Sequence, residues 1–462
     1  MNYAYLAATL PVGVLLYWRR PGLYVGFTWW LWFLTPEVRR LADYVQGWNP
    51  INPVMLVPYL VSALTIFTLL HHLPKLLLNR FFPFVLIGLG LLYAYAVGIY
   101  RVGIPSATYH LLEFSVPIAF GFYLVVHWRK YPLYRRTIQR TFAWGVLVMG
   151  VYGLIQFLYL PPWDRYWMSS APLTSIGEPY PLGVRVFSTL NSPQPFGAVM
   201  MAGLLLLFCE RRLFLRWPAA AAGYVSFLLS LARTAWGGWL VALLFILTQR
   251  GHFRSRVFVT LAGTALLTLP LFAFGPVADT INSRLQTIAE IRQDSSFRAR
   301  TEFYAEFLPQ AFSKVIGEGL GSTGLGTKLS NEQATLGPYG SFDSGVMEIP
   351  LVLGWPGTML YIGGLIWLLV YAFRNSNPED LFAVVSRSIV VALLTMLLAD
   401  DTTDGLPGML LWSFLCLAIA GKVQFIQTLR RGGNVAAAKN RRKVGHVEPS
   451  KGVARGAWLR SD

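Results

Sequence analysis

The sequence predicts an all-α polytopic membrane protein with about 12 or 13 transmembrane helices and one large, partly helical loop outside the membrane. Three observations carry this. Of 462 residues, 55% are hydrophobic and only 13% are charged, against roughly a quarter charged in soluble domains. Apolar runs close to the roughly 20 residues that cross a bilayer recur along most of the chain. The short alternating segments of a membrane barrel do not.

Taken in order, candidate spans lie near 3–18, 21–35, 51–70, 82–99, 110–127 and 142–160, an N-terminal block over 1–160. The first has no basic n-region and reads as a retained helix. Segment 161–194, rich in Pro, Trp and Tyr, reads as a loop. Spans near 195–209, 214–230, 234–249 and 257–275 form a central block over 195–275. Residues 276–343 are a long polar loop, in which "SSFRARTEFYAEFLPQAF" has apolar residues at helical spacing. Loops of this length inside a compact protein are usually functional. A C-terminal block over 344–422 holds spans near 345–373, 383–399 and 406–422. The first of these is long enough for a short re-entrant helix followed by a true span. Residues 423–462 are basic with little apolar content, which predicts a disordered tail drawn to anionic lipid.

A net charge of +17 would suggest nucleic acid in a soluble protein. Here the excess of basic residues in cytoplasmic loops explains it, and nucleic acid is not an expected partner. Most of the 39 Lys and Arg fall in one set of alternate loops, including the cluster from Arg129 to Arg140, Arg211 to Arg216, and the tail. That set and the C-terminus are therefore cytoplasmic. Segments 161–194 and 276–343 then face outward. Cys209 and Cys416 stand far apart in apolar segments and read as packing residues, not metal ligands.

The candidate chemistry gathers on the outward side. Arg185 lies in "GVRVFSTLNSPQPFG", Arg233 in "LLSLARTAWGGWL", and Arg298 and Arg300 in the long loop. Arg233 sits where one span turns almost directly into the next, at the membrane boundary. It is either an interfacial anchor or the ligand of an anionic group at membrane height, such as a lipid diphosphate. Asp343, in "GSFDSGVMEIPLVLGWPG", fits an N-cap, a general base, or both. Glu348 is an intramembrane acid and so a functional candidate. Asp400, Asp401 and Asp404 make another outer turn. Of six histidines, only His110, one turn from Glu113, is placed to serve an outer site. "GEGLGSTGLGTKLS" mimics a nucleotide loop, but Thr327 stands between Gly326 and Lys328 and breaks the spacing. Its glycines read as permitting a tight turn.

Four stretches, in order over about 180–375, carry a resemblance. They are "RVFSTLNSPQPFGAVMMAG", "SLARTAWGGWLVALL", "RARTEFYAEFLPQAFSKVIGEGLGSTG" and "FDSGVMEIPLVLGWPG". Together they resemble the bacterial O-antigen ligase and polymerase superfamily. The resemblance implies a bacterial inner-membrane enzyme with its active site facing the exterior. It would carry out inverting glycosyl transfer without metal or other cofactor. The donor would be a glycan on undecaprenyl diphosphate, the acceptor another glycan, and chain-length or export proteins would be partners. Arg233 and Arg300 would hold the diphosphate, Asp343 would be catalytic, and Arg185, Arg298 and Tyr304 would bind substrate; Glu348 and His110 are substrate-binding candidates by their positions alone. Ligases of the family place His-Asn where this chain has Asp343-Ser344, so the resemblance implies the polymerase-type members, with ligation as the alternative. A transporter for lipid-linked sugars is a third reading. The scarcity of charges within the spans favours an enzyme over that reading.

Overall fold

The computed structural model describes residues 2–50, 52–76, 81–171, 176–249, 254–268, 309, 313–330, 344–374 and 376–443. Its main helices are α1 (Asn2–Arg19), α2 (Pro21–Gln46), α3 (Leu56–Ala63), α4 (Thr65–His71), α5 (Leu73–Leu76), α6 (Phe82–Arg101), α7 (Ile104–Val126) and α8 (Tyr131–Tyr159). They continue with α9 (Pro162–Ser170), α10 (Pro193–Leu206), α11 (Leu213–Leu229), α12 (Arg233–Thr248), α13 (Arg254–Thr268), α14 (Gly345–Phe373), α15 (Leu381–Met396) and α16 (Gly405–Lys443). The chain is an all-α, multi-pass membrane protein. Six described segments are long and apolar enough to cross a bilayer: Pro53–His71, Phe82–Arg101, Ile104–Val126, Trp128–Tyr159, Gly345–Phe373 and Gly405–Arg430. Helices α11, α12 and α15 are apolar but shorter, as is the segment Pro193–Cys209.

Three expectations are corrected. The span near 21–35 is the start of a helix that runs to Gln46, because Glu37, Arg39, Arg40 and Asp43 are paired inside the protein and do not end it. The span near 142–160 begins at Tyr131, so Arg135, Arg136 and Arg140 lie in α8 and not in a loop. The tail expected to be disordered from 423 is helical to Lys443. Ala436 to Ala438 are strong helix formers, and basic side chains suit a helix C-terminus. Residues 444–462 lie outside the described residues, as does the helix expected around 297–308.

The long segment at 345–373 does divide in two. Gly354, at φ 62° and ψ 177°, breaks α14, and Pro356, two residues on, has no amide to give. A break within a span strands backbone carbonyls that lipid cannot satisfy. The glycine-rich loop fills that need. Glu318 N–H donates to Leu351 O at 2.7 Å and Gly319 N–H to Val352 O at 3.0 Å, while Trp355 N–H donates back to Val315 O at 2.9 Å. On its other side the loop lies on α6, where Leu320 N–H donates to Ala94 O at 3.0 Å. Close backbone contact explains the glycines: a Cβ on Gly98 would stand 2.2 Å from Leu320 O, and one on Gly319 would stand 2.3 Å from Gly98 N. Gly98→Val should therefore lift the loop from α6 and lower stability by about 1–3 kcal/mol, the usual cost of overpacking. Thermal unfolding in detergent measures this; an unchanged Tm would contradict the contact.

Candidate functional site

Two groups of polar residues meet at the end of the bundle where α7 and α14 begin and α8 and α11 end. The first is built on the turn between α11 and α12. Only Ser230, Leu231 and Ala232 join these helices, and Leu231 takes the left-handed region at φ 52°. Such a turn in a non-glycine residue needs support. Arg185 supplies it: Nε donates to Ser230 O at 3.3 Å and Nη2 to Leu231 O at 3.0 Å. Arg233 follows as the first residue of α12, half-buried. Next to it Thr234 Oγ1 donates to Asp400 Oδ2 at 3.0 Å. Asp400 O in turn accepts from Gly345 N–H at 3.4 Å. The α12 start, the 399–404 turn and the α14 start are thus tied together.

The second group surrounds His110. Gly321 N–H donates to His110 Nδ1 at 2.9 Å. An Nδ1 that accepts has no proton, so the neutral ring carries its proton on Nε2. That nitrogen faces three carboxylates and hydrogen-bonds to none of them, with Glu348 Oε1 and Asp404 Oδ2 each at 3.9 Å and Glu113 Oε2 at 4.0 Å. Behind them Thr323 Oγ1 donates to Glu348 Oε1 at 2.7 Å, and Asp401 lies against Glu348. The His110 side chain is 6% exposed and Glu348 9%, whereas Glu113 and Asp404 are 21% and 24% exposed. The cluster thus has a buried floor and an open rim.

Four residues singled out in the sequence are described. Arg185 and Arg233 share one group, and His110 and Glu348 share the other; the turn from Asp400 to Asp404 bridges them. Asp343, Arg298, Arg300 and Tyr304 lie outside the described residues. The N-cap expected of Asp343 falls to Ser344, since α14 begins at Gly345, and Ser344 Oγ bonds to Leu397 O at 3.4 Å. Asp404 and Gly321 were not marked as site residues, because each gains its meaning only from a distant helix. Asp404 did carry a signal, as one of three acids in an outward turn.

His110, Glu113 and Asp404 are the described residues best spaced to hold a metal, with ligand atoms within 4.8 Å of one another. The Gly321 bond opposes this, since it leaves a proton and no lone pair on the nitrogen that faces the acids. A cavity of about 420 Å³ at the other end of the bundle, beside Arg135, Arg211 and Asp380, is remote from these groups. Of its three acids, Asp380 is already engaged, accepting from Arg135 at 3.1 Å and from Tyr131 at 2.8 Å. No family model and no curated protein matches the chain.

Burial, with Asp401 and Glu113 beside it, raises Asp404 well above the usual carboxylate range. A folded-state value above the unfolded one means stability that is complete below pH 4 or so and is lost as pH rises through the folded value. Asp404→Asn removes that loss. The variant should gain Tm, and gain more at pH 8 than at pH 4.5, with water at its exposed edge limiting the size. Parallel melts at the two pH values test this, and a larger gain at the lower pH would contradict it.

Proposed function

We propose that this chain is a membrane glycosyltransferase that polymerises glycan repeat units carried on undecaprenyl diphosphate, at the outer face of a bacterial inner membrane. The observation that carries this reading is the Arg185-braced turn. It fixes Arg233 at the start of α12, beside the α14 start and next to a carboxylate cluster. A guanidinium and helix amides at membrane height suit a lipid diphosphate, which arrives with its tail in the bilayer. Transfer of a sugar from a diphosphate needs stabilised charge on the leaving group and a base for the acceptor, and the two groups of residues suit those two tasks. Arg300 and Asp343 belong to the same proposal through the resemblance of their motifs.

The test uses purified protein in vesicles and lipid-linked oligosaccharides extracted from host cells that lack it. Products that lengthen by whole repeats are expected. A single transfer to lipid A or another distinct acceptor would replace polymerase by ligase. Movement of the donor across the vesicle without a new glycosidic bond would replace the enzyme by a transporter. No turnover of the extracted donor would overturn the reading.

A further inference from the structure

The His110 cluster has a feature that a merely structural acid cluster lacks. A polar ring nitrogen, more than nine-tenths buried, points at three carboxylate oxygens from 3.9–4.0 Å and bonds to none. Atoms 3.9 Å apart leave room for one oxygen at about 2.8 Å from each. The occupant must accept a hydrogen bond from Nε2–H and donate one to a carboxylate. A hydroxyl group does both. A metal ion does not accept from N–H, and an anion is repelled by the acids. Among the described residues Asp404 shows no hydrogen bond to its carboxylate from another side chain, and it lies on the open rim.

We propose that this gap is the acceptor-hydroxyl site, with Asp404 as the proton acceptor and His110 Nε2–H as the group that orients the hydroxyl. This rests on the glycosyl-transfer reading above, and it assigns to Asp404 the base that the resemblance alone would place at Asp343, which lies outside the described residues. The acceptor oxygen forms the new bond to the anomeric carbon while its proton passes to Asp404. The bond from that carbon to the diphosphate oxygen breaks, and the electron pair leaves with the diphosphate. The distances agree. Asp400, held to Thr234 beside Arg233, is four residues from Asp404, a separation of at most about 14 Å along the chain.

Glu348, Asp401 and Thr323 do not touch the hydroxyl in this arrangement and act as positioning residues. Facing Asp404 from α7 are Tyr109, His110 and Glu113; from α3, Tyr59; from α14, Tyr361 and Glu348. Asp401 faces it from its own turn and is the nearest negative neighbour.

The experiment compares wild type, Asp404→Asn, His110→Gln, Asp401→Asn and Arg233→Ala in the same vesicles. It measures retention of radiolabelled extracted donor and turnover from pH 5 to 9. Asp404→Asn should bind donor as wild type does and lose about 100-fold or more in turnover, the usual share of a general base. Its higher Tm excludes unfolding as the cause. His110→Gln should raise the acceptor KM more than it lowers kcat. Asp401→Asn should lose less turnover than Asp404→Asn and shift its acid limb to lower pH, because removing a nearby negative charge makes Asp404 easier to ionise. Wild-type turnover with Asp404→Asn equally active would sink this proposal and leave the function standing. Turnover abolished by EDTA and restored by a divalent cation, with weaker cation affinity in Asp404→Asn, would replace the hydroxyl by a metal. An inactive wild type removes the function and this site with it.

Discussion

Replacing Arg40 by methionine is expected to cost about 3–5 kcal/mol, enough to leave little folded protein. The Arg40 side chain is fully buried in α2. Its Nε lies 3.1 Å from Asp164 Oδ1, also fully buried, and its terminal nitrogens reach Glu37 and the carbonyls of Ser188 and Leu190. These contacts tie three distant pieces of chain together: α2, α9 and the strap that leads from Arg185 into α10. Other bonds hold the strap as well: Gln156 Oε1 accepts from Phe187 N–H at 3.0 Å and Ser188 N–H at 2.8 Å, and Thr189 Oγ1 donates to Phe33 O at 2.6 Å. Ser188 is itself in the left-handed region at φ 52°. Methionine fills much of the same volume but leaves the buried Asp164 carboxylate without its counter-charge and the Leu190 carbonyl without its donor. That remainder, not the value of the pair, sets the cost. Arg40→Met with Asp164→Leu should therefore recover part of the loss. Thermal unfolding of the single and double variants decides; an Arg40→Met protein melting within about 2 °C of wild type would contradict the argument.

None of that pillar was legible in the sequence. Glu37 and Arg40 are three apart on a helix, which reads as an ordinary surface pair, and Asp164 stands 124 residues later in a segment that reads as a loop. By contrast the all-α, multi-pass character was legible, and six described segments are long and apolar enough to cross, because lipid demands long apolar helices. The glycine-rich stretch shows the limit of such reading. Its turn-forming role could be read locally. Its partners could not, since the carbonyls it satisfies are set free by Gly354 and Pro356, and the amide it gives to His110 meets a helix some 200 residues earlier. The acids of the site were visible singly for the same reason. Charge near a membrane marks a residue for notice, but only the packing of α16 against both α7 and α14 shows that Glu113, Glu348 and Asp404 converge on one nitrogen.

Arg233→Ala is expected to lower turnover of the lipid-linked donor about 100- to 1,000-fold, the range for removing one donor of transition-state charge stabilisation. The fold should survive this change. Arg233 is half-buried at the first turn of α12, and the turn before it is held by Arg185. The split between constants tests the role. A group that only anchors the donor raises KM and spares kcat, whereas one that stabilises charge as the sugar–diphosphate bond breaks lowers kcat. Loss mainly in kcat is the expected result. Lysine keeps the charge but not the flat two-pronged geometry that matches a diphosphate, so Arg233→Lys should recover only part of the rate. Arg185→Ala offers the contrast. Its guanidinium acts through the Ser230 and Leu231 carbonyls, so the variant should lose stability as well as rate, and raising Tm with a second-site change should restore some of the rate. If Arg233→Ala and Arg233→Lys both turn over donor at the wild-type rate, the diphosphate does not lie at the α12 start. The acceptor site at Asp404 would then need a donor arriving from another side.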